Sequence, residues 1–539
     1  VAADKLSAKK ICKRFEQLKA DRTTWESHWR ECATYMLPNR SDINTVYSPG
    51  QKRNLVLLDS TGVQSNELLA GALHGMLTNP SGQWFMLTTG NPEIDDLDDV
   101  RKWLQNSSRK MLNVFNGSNF QTEVHQYYLD LPCIGTAGFS IEEDEDQVVR
   151  FAARHIKELY IAENNKGQID EIYRSFQWTA RQIVQQFGEK VLELSRNLKR
   201  AYEKGVEDKF ELIQAIYPRD AAKVSTAKFR YVSQFILKSV DEVELSEGQF
   251  RELPLVVPRW TKASGEVYGR GPGMNALPDV KTLNKMTETV LIGAQKAVDP
   301  PVQAPDDGFV MPLKTRPGGV SYYRAGSQDR IEPVFNDTRV DFGFEVMRER
   351  RERIKQTFYI DQLQLNTGPQ MTATEVMQRT EERMRLLGPM LGRQQSEFLR
   401  PLIDRVFEIM QRKGMIDEAP EVLRGRQIDV AYTSMIAQAQ RVAEAQSISK
   451  TMDFIAPFVQ ADQSVLDNLN GDAALKFAAR VFNFPQEIIR DADEVEQKRK
   501  ARADAQAQAV AQEQQAKQID GAAKLGPTAI GLEQLSKQA

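Results

Sequence analysis

The chain has 539 residues, of which 41% are hydrophobic and 27% charged. This is the composition of a folded globular protein rather than a disordered one, and the length predicts about two to four structural units. The net charge of −3 excludes a generic basic nucleic-acid binder, which grips phosphates with an excess of Lys and Arg; balanced charge suits a protein along which a polyanion slides, and equally one with no nucleic-acid role. No apolar run approaches the roughly 20 residues that cross a bilayer, and the opening VAADKLSAKK has no apolar segment of a secretory signal.

In chain order, residues 1–36 read as helix, with Ile11, Phe15, Leu18, Trp25 and Trp29 at spacings of three, four and seven. A polar loop (37–54) carries Pro38, Pro49 and Gly50. A helix capped near Asp59 or Ser60 then runs to Asn79-Pro80, and a short strand, Trp84 to Leu87, follows. Residues 96–132 are largely helical and lead into the Gly-flanked strand GTAGFSIEEDED. From 149 to 260 the chain predicts an α+β region. RFAARHIKELYIAENNKGQIDEIYRSFQWT reads as two strands joined at Asn164 to Gly167, ARQIVQQFG as a helix, and KFRYVSQFILKS and LPLVVPRWT as strands.

GEVYGRGPG (265–273) opens the next part. It lacks the Lys-Ser/Thr of a phosphate loop and reads as a flexible joint rather than an anion nest. Two helices, 276–298 and 337–359, then flank a Pro/Gly-rich block with short β-like pieces (299–337). Each helix is roughly 35 Å long, so the pair carries that block outward like a hairpin. Residues 361–371, DQLQLNTGPQM, break the helical pattern, and Thr372 and Glu375 have the spacing of a capping box. Residues 372–414 form a long helical pattern with a kink predicted at Gly388-Pro389. GRQIDVAYTS (425–434) reads as a strand and 435–485 as several helices. Beyond 486 an Ala/Gln-rich helix has no core-facing stripe and needs neighbours, and the last twenty residues read as mobile.

No catalytic constellation emerges. Cys12, Cys32 and Cys133 form no C-x-x-C pair, and His28, His74, His125 and His155 show no ligand spacing. LLDSTGVQS is no nucleophile elbow. The acidic run EEDEDQ (142–147) lacks calcium-loop spacing and reads as a solvated strand end. RERRERIK (348–355) reads either as a salt-bridged solvated helix or as a face lining a passage or meeting a neighbour. The pairs Trp84-Phe85 and Tyr322-Tyr323 fit core or interface better than base stacking.

Five stretches together resemble one family, the head-to-tail connector, or portal, proteins of short-tailed bacteriophages. They are DSTGVQSNELLAGALHGMLTNPSGQWFML, EIYRSFQWTARQIVQQFG, RWTKASGEVYGRGPGMNALPDVKTLN, MTATEVMQR and QIDVAYTSMIAQAQR, in the family's order across roughly residues 55–445. The resemblance implies a predominantly helical α+β portal fold. Its parts would be a wing (1–273, including helix 1–36), stem helices (274–298 and 338–360), a small β clip (299–337) and a tunnel loop (361–371). A long kinked wing helix and strand (372–434), a crown (435–485), a barrel helix (486–517) and a flexible tail (518–539) would follow.

The resemblance further implies a structural, non-enzymatic subunit of a ring, usually of twelve copies, at one capsid vertex. Double-stranded DNA would pass non-specifically through its channel during packaging and ejection. Implied partners are the major capsid protein and scaffold, the terminase transiently, and tail adaptor and nozzle proteins. The place is the virion, after assembly in the host bacterial cytoplasm, with no membrane, metal or cofactor.

The channel loop would use Gln362, Gln364, Asn366, Thr367, Gly368 and Gln370; a plain interhelical connector is the other reading of that loop. A stem charge face, toward the channel or a neighbour, would use Lys285, Lys296, Arg348, Arg351 and Lys355. Clip docking of adaptor and terminase, and pairing of the clip with the next subunit, would use Val310, Lys314, Arg316, Tyr322, Tyr323 and Arg324. Thr372, Glu375, Gly388 and Pro389 would be structural, as cap and kink. A coiled-coil scaffold or adaptor that nucleates virion assembly through its C-terminal helix is the competing reading.

Overall fold

The computed structural model describes residues 6–45, 48, 50–53, 56–95, 97–219, 229–238, 242–298, 302–303, 332–333, 340–363, 388–423, 428–432, 471 and 494–512. These fall into two compact units. The first draws its residues from within 1–90, 104–419 and 425–436, and the second from within 91–103, 420–424 and 437–539.

The first unit is built on two antiparallel sheets. Leu159–Glu163, Ile169–Thr179, Lys209–Pro218, Tyr231–Leu237 and Val243–Phe250 form a five-stranded meander in chain order. Helix Ala8–Met36 lies on this sheet. Ile11, Phe15 and Leu18, spaced at one helical turn, bury themselves against Tyr160, Tyr173, Ile213 and Ile236. Arg22 follows on the same face and is 2% exposed. It is satisfied by the carbonyls of Ile156 (2.9 Å) and Leu159 (2.7 Å), by Glu26, and by the ring of Tyr160, 3.8 Å from its guanidinium carbon. A buried charge of this kind survives only when so partnered.

The second sheet has Gly138–Glu143 at its centre, between Val149–Arg154 and Leu255–Val256. Around it Trp84, Phe85, Phe115, Phe120, Phe139 and Phe151 form one network of ring contacts. The predicted strand at 84–87 is Phe85–Thr88, paired antiparallel with Asp429–Tyr432 of the predicted 425–434 strand. The first helix matches expectation from Ala8 onward, with Ser7 extended before it, and the helix Thr61–Leu77 starts after Ser60 as expected.

Several expectations need correction. The helical run 96–132 is two helices, Asp98–Gly117 and Phe120–Ile134, because Ser118 and Asn119 spend their polar groups locally and on Phe151. The two strands read in 149–179 are three, with His155 starting a 3₁₀ turn between the first two. The turn at Asn164 is as expected, its Oδ1 accepting from the backbone N–H groups of Lys166 and Gln168. Lys209–Pro218 and Val243–Phe250 are strands that the pattern did not announce. The stretch LPLVVPRWT pairs as a strand only at Leu255–Val256, with bridges beyond.

Helices Pro272–Val298 and Val340–Thr357 run antiparallel, with Arg350 bonded to Asp279 (2.6 Å) at one level and Gly343 packed against Val290 at another. Just beyond Val298, Val302 and Gln303 pair with Pro333 and Glu332.

Of the second unit, the described residues are the short helix Pro92–Asp95, the opening turn of Asp98–Gly117, the 3₁₀ turn Glu421–Leu423, residue 471 and a helix at 494–512. Nearly every side chain of that last helix is exposed in the single chain.

Candidate functional site

The glycine-rich block is not a flexible joint. Gly269, Gly271 and Gly273 press against the backbone of 132–135: a Cβ on Gly273 would lie 2.7 Å from the carbonyl oxygen of Cys133 and 2.9 Å from its Cα. Gly135, with φ +83°, leaves no more room, since its Cβ would stand 2.5 Å from the carbonyl oxygen of Gly269 and the amide of Gly271. Hydrogen bonds stitch the three segments together. The Trp260 amide donates to Gly135 O (2.9 Å), the Gly269 amide to Thr136 Oγ1 (2.8 Å), and the Arg270 amide to Thr261 O (2.8 Å). Close backbone approach explains Gly269, Gly271 and Gly273, while Gly135 also ends the helix Phe120–Ile134 in the left-handed conformation; the helix Pro272–Val298 therefore leaves the body at a fixed angle.

Arg259 sits beside this clasp and is 1% exposed. Its Nε and Nη2 donate to Glu397 (3.1 and 2.9 Å), its other contacts are Glu163 and the carbonyls of Val267 and Gly167, and its own amide donates to Glu397 Oε2 (3.0 Å). Glu397 lies in a π-helical turn, Gln395–Leu399, inside the helical run 388–412. Next to it Gln394 donates to Arg259 O (2.8 Å) and accepts from Tyr127 Oη (2.5 Å), while Phe398 stacks on Tyr127 at 4.1 Å. The extra residue of a π-turn rotates the helix surface, which lets Gln394, Glu397 and Phe398 all reach their partners. One cue lay in the sequence, a charge inside the apolar run LVVPRW, since an interior charge requires partners; the π-turn had none.

The predicted stem charges separate. Arg351 shares a helical face with Arg348 and Lys355 but is spent inside the subunit. It donates through Nε and Nη2 to Asp59 (3.0 and 2.9 Å), tying the helix pair to the start of Thr61–Leu77. Burial works to raise the Asp59 carboxyl, but hydrogen bonds from Thr61 and Arg351 outweigh it and hold the group below the usual carboxylate range. Lys285 pairs with Glu288 (2.8 Å) and Lys355 with Glu352 (2.9 Å), each within one helical turn, and Arg348 stands 3.9 Å from Glu345 with three-quarters of its side chain exposed. Lys296 is exposed near the far end of its helix.

Gln362 belongs to the short helix Ile360–Leu363. Gln364, Asn366, Thr367, Gly368, Gln370, Thr372 and Glu375 lie outside the described residues, as do Val310, Lys314, Arg316, Tyr322, Tyr323 and Arg324. Gly388 and Pro389 open the described run 388–412, and the turn before them lies outside it.

The remaining candidates for chemistry are structural. His155 Nε2 bonds to Arg40 O (2.9 Å) and Nδ1 accepts from the Lys157 amide, and burial pushes its pKa down to about 4. The acidic run 142–147 meets Arg154 and Arg412 and closes a turn through Asp144. Among the described residues there is no group of three metal-ligating side chains and no helix long and apolar enough to cross a membrane.

The described residues form a mixed helical and antiparallel fold with a firmly seated helix hairpin and with interior charges spent on architecture. The chain belongs to the bacteriophage head to tail connecting proteins, whose family model matches residues 8–489. It is 32% identical over 504 residues to the "Probable portal protein" of Bordetella phage BPP-1, covering 92% of this chain and 90% of the relative. The portal protein of Salmonella phage epsilon15 is also 32% identical over 504 residues (90% and 89%). That of Enterobacteria phage T3 is 20% identical over 426 residues (76% and 75%). Proteins of this family are virion components at the head–tail junction.

Proposed function

We propose that the chain assembles with copies of itself into a ring at one capsid vertex, whose channel passes double-stranded DNA during packaging and ejection. The 299–337 block docks the terminase first and tail adaptor and nozzle proteins later. Residues 361–371 line the narrowest part of the channel. Arg348 and Lys355 lie at the rim of the helix face that carries Phe344, toward the channel or a neighbouring subunit, and where they reach the channel they steer phosphates without fixing them, because their charges are already shared with Glu345 and Glu352. The role is mechanical, and the packaging motor supplies the ATPase.

The observation that carries the ring is a set of large apolar side chains on the outer half of the helix hairpin. Leu291, Ile292, Phe344 and Val298 are 49%, 45%, 53% and 88% exposed in the isolated subunit. A hairpin that leaves such side chains in water needs neighbours. Electron microscopy of the purified protein is expected to show rings with a central hole, and Arg348→Gln/Lys355→Gln to keep the ring while altering DNA packaging or retention. A protein that stays monomeric at high concentration in every salt condition refutes the ring, and normal packaging by the double variant removes the steering role.

The exposed helix at 494–512 supports a second reading, a coiled-coil scaffold or adaptor. Deleting residues 486–539 separates the two, since a ring held by the hairpin survives and a coiled-coil assembly falls to monomers.

A further inference from the structure

The hairpin has two unlike sides. Asn284 and Arg351 mark one of them, because both reach the segment at 56–59: Asn284 bonds to Val56 O and to the Leu58 amide, and Arg351 to Asp59. Leu291 follows Asn284 by seven residues, Val298 follows Leu291 by seven, and Phe344 precedes Arg351 by seven. Seven residues are two helical turns, so these three exposed apolar side chains project from that same side. The other side is a groove of about 520 Å³ lined by Thr282, Met286, Thr289, Val290 and Gly343 together with Lys281 and Lys285. It is mostly apolar, and Gly343 deepens it by letting the two helices meet at Val290.

We infer that the apolar side of one subunit's hairpin seats in the groove of the next copy, with Phe344 and Leu291 as the inserted side chains. This rests on the ring reading and specifies its contact. Charge matches shape: Glu288, one turn before Leu291, stands at the apolar edge, and Lys285 stands at the groove edge. Their bond within one chain leaves Lys285 75% exposed, so Glu288 can also meet Lys285 of the neighbour. A large aromatic side chain buries about 150–250 Å², which small threonines and a glycine opposite can accept. Because the two surfaces differ and lie on opposite sides, they cannot pair about a two-fold axis. They join head to tail, and such a contact gives a ring when the rotation closes.

The test is the full chain carrying Thr289→Cys and Leu291→Cys, treated with an oxidant or a short bismaleimide. Two residues apart on one helix, the new thiols point to opposite sides and cannot bridge within a chain. The native cysteines stay silent: Cys12, Cys32 and Cys133 are buried, and burial, foremost, raises all three thiols.

The double variant is expected to give a covalent ladder of multimers, and each single variant none. A dimer from Leu291→Cys alone means a two-fold contact and overturns the inference. Rings in the microscope without a ladder overturn it while leaving the ring reading intact, and absence of any ring overturns both. Phe344→Asp is expected to abolish rings while the subunit keeps its circular dichroism spectrum and melting temperature. Rings of normal abundance from that variant refute the role of Phe344.

Discussion

Gly273→Ala separates a close-packed clasp from a flexible joint by the sign of its effect. Gly273 is the second residue of the helix Pro272–Val298, where Ala in open space would stabilise by about 0.5–1 kcal/mol. Its Cβ would instead stand 2.7 Å from Cys133 O and 2.9 Å from Cys133 Cα, whereas a relaxed carbon–oxygen contact is about 3.3–3.6 Å. Both obstacles are backbone, in the last turn of the buried helix Phe120–Ile134, and neither can swing aside.

Overpacking of this kind costs about 1–3 kcal/mol, and two backbone contacts below 3 Å put Gly273 in the upper part of that range, so after the helix gain a net loss of roughly 1–2.5 kcal/mol remains. Urea unfolding monitored by circular dichroism reads it as a lower midpoint. Gly75→Ala is the control: Gly75 is an exposed helical residue with nothing within 4 Å of its would-be Cβ, and the change is expected to raise the midpoint. A Gly273→Ala protein at or above wild-type stability, with the control behaving as stated, refutes the clasp.

Glu397→Ala is expected to cost about 3 kcal/mol, the lower end for breaking a buried pair, because Glu163 still faces Arg259; Glu397→Gln keeps an acceptor and is expected to cost about half of that, again read from urea midpoints. Asp130 and Asp404 each have their carboxyl pushed up to about 6, chiefly by burial, against about 3.9 when unfolded. The native state binds these protons more tightly, so their contribution is full below about pH 4 and is lost as pH rises to about 6. Melting temperatures across that window are expected to fall with rising pH, and less steeply in Asp130→Asn and Asp404→Asn. An unchanged slope in both variants refutes the assignment.

Local pattern was enough for the helices Ala8–Met36, Thr61–Leu77 and Val340–Thr357, because their apolar positions, caps and stops lie within a few residues of one another. The pairing of Phe85–Thr88 with Asp429–Tyr432 joins segments more than three hundred residues apart, and no local signal specifies a partner strand. The family was legible from five stretches in order, GEVYGRGPG among them, while the reason for Gly269, Gly271 and Gly273 was not: the atoms they avoid belong chiefly to residues 132–135.

The same holds for charge. Arg348, Arg351 and Lys355 look alike on a helical wheel, and only the fold separates Arg351, held by Asp59, from its two solvated neighbours. By itself the sequence determined several helices, among them Ala8–Met36, Thr61–Leu77 and Val340–Thr357, and which family the chain resembles. Tertiary structure alone decided which charges are spent inside the subunit, which glycines are rigid, and which side of the hairpin offers side chains and which a groove. Those properties depend on atoms distant in sequence and a few ångströms apart in space.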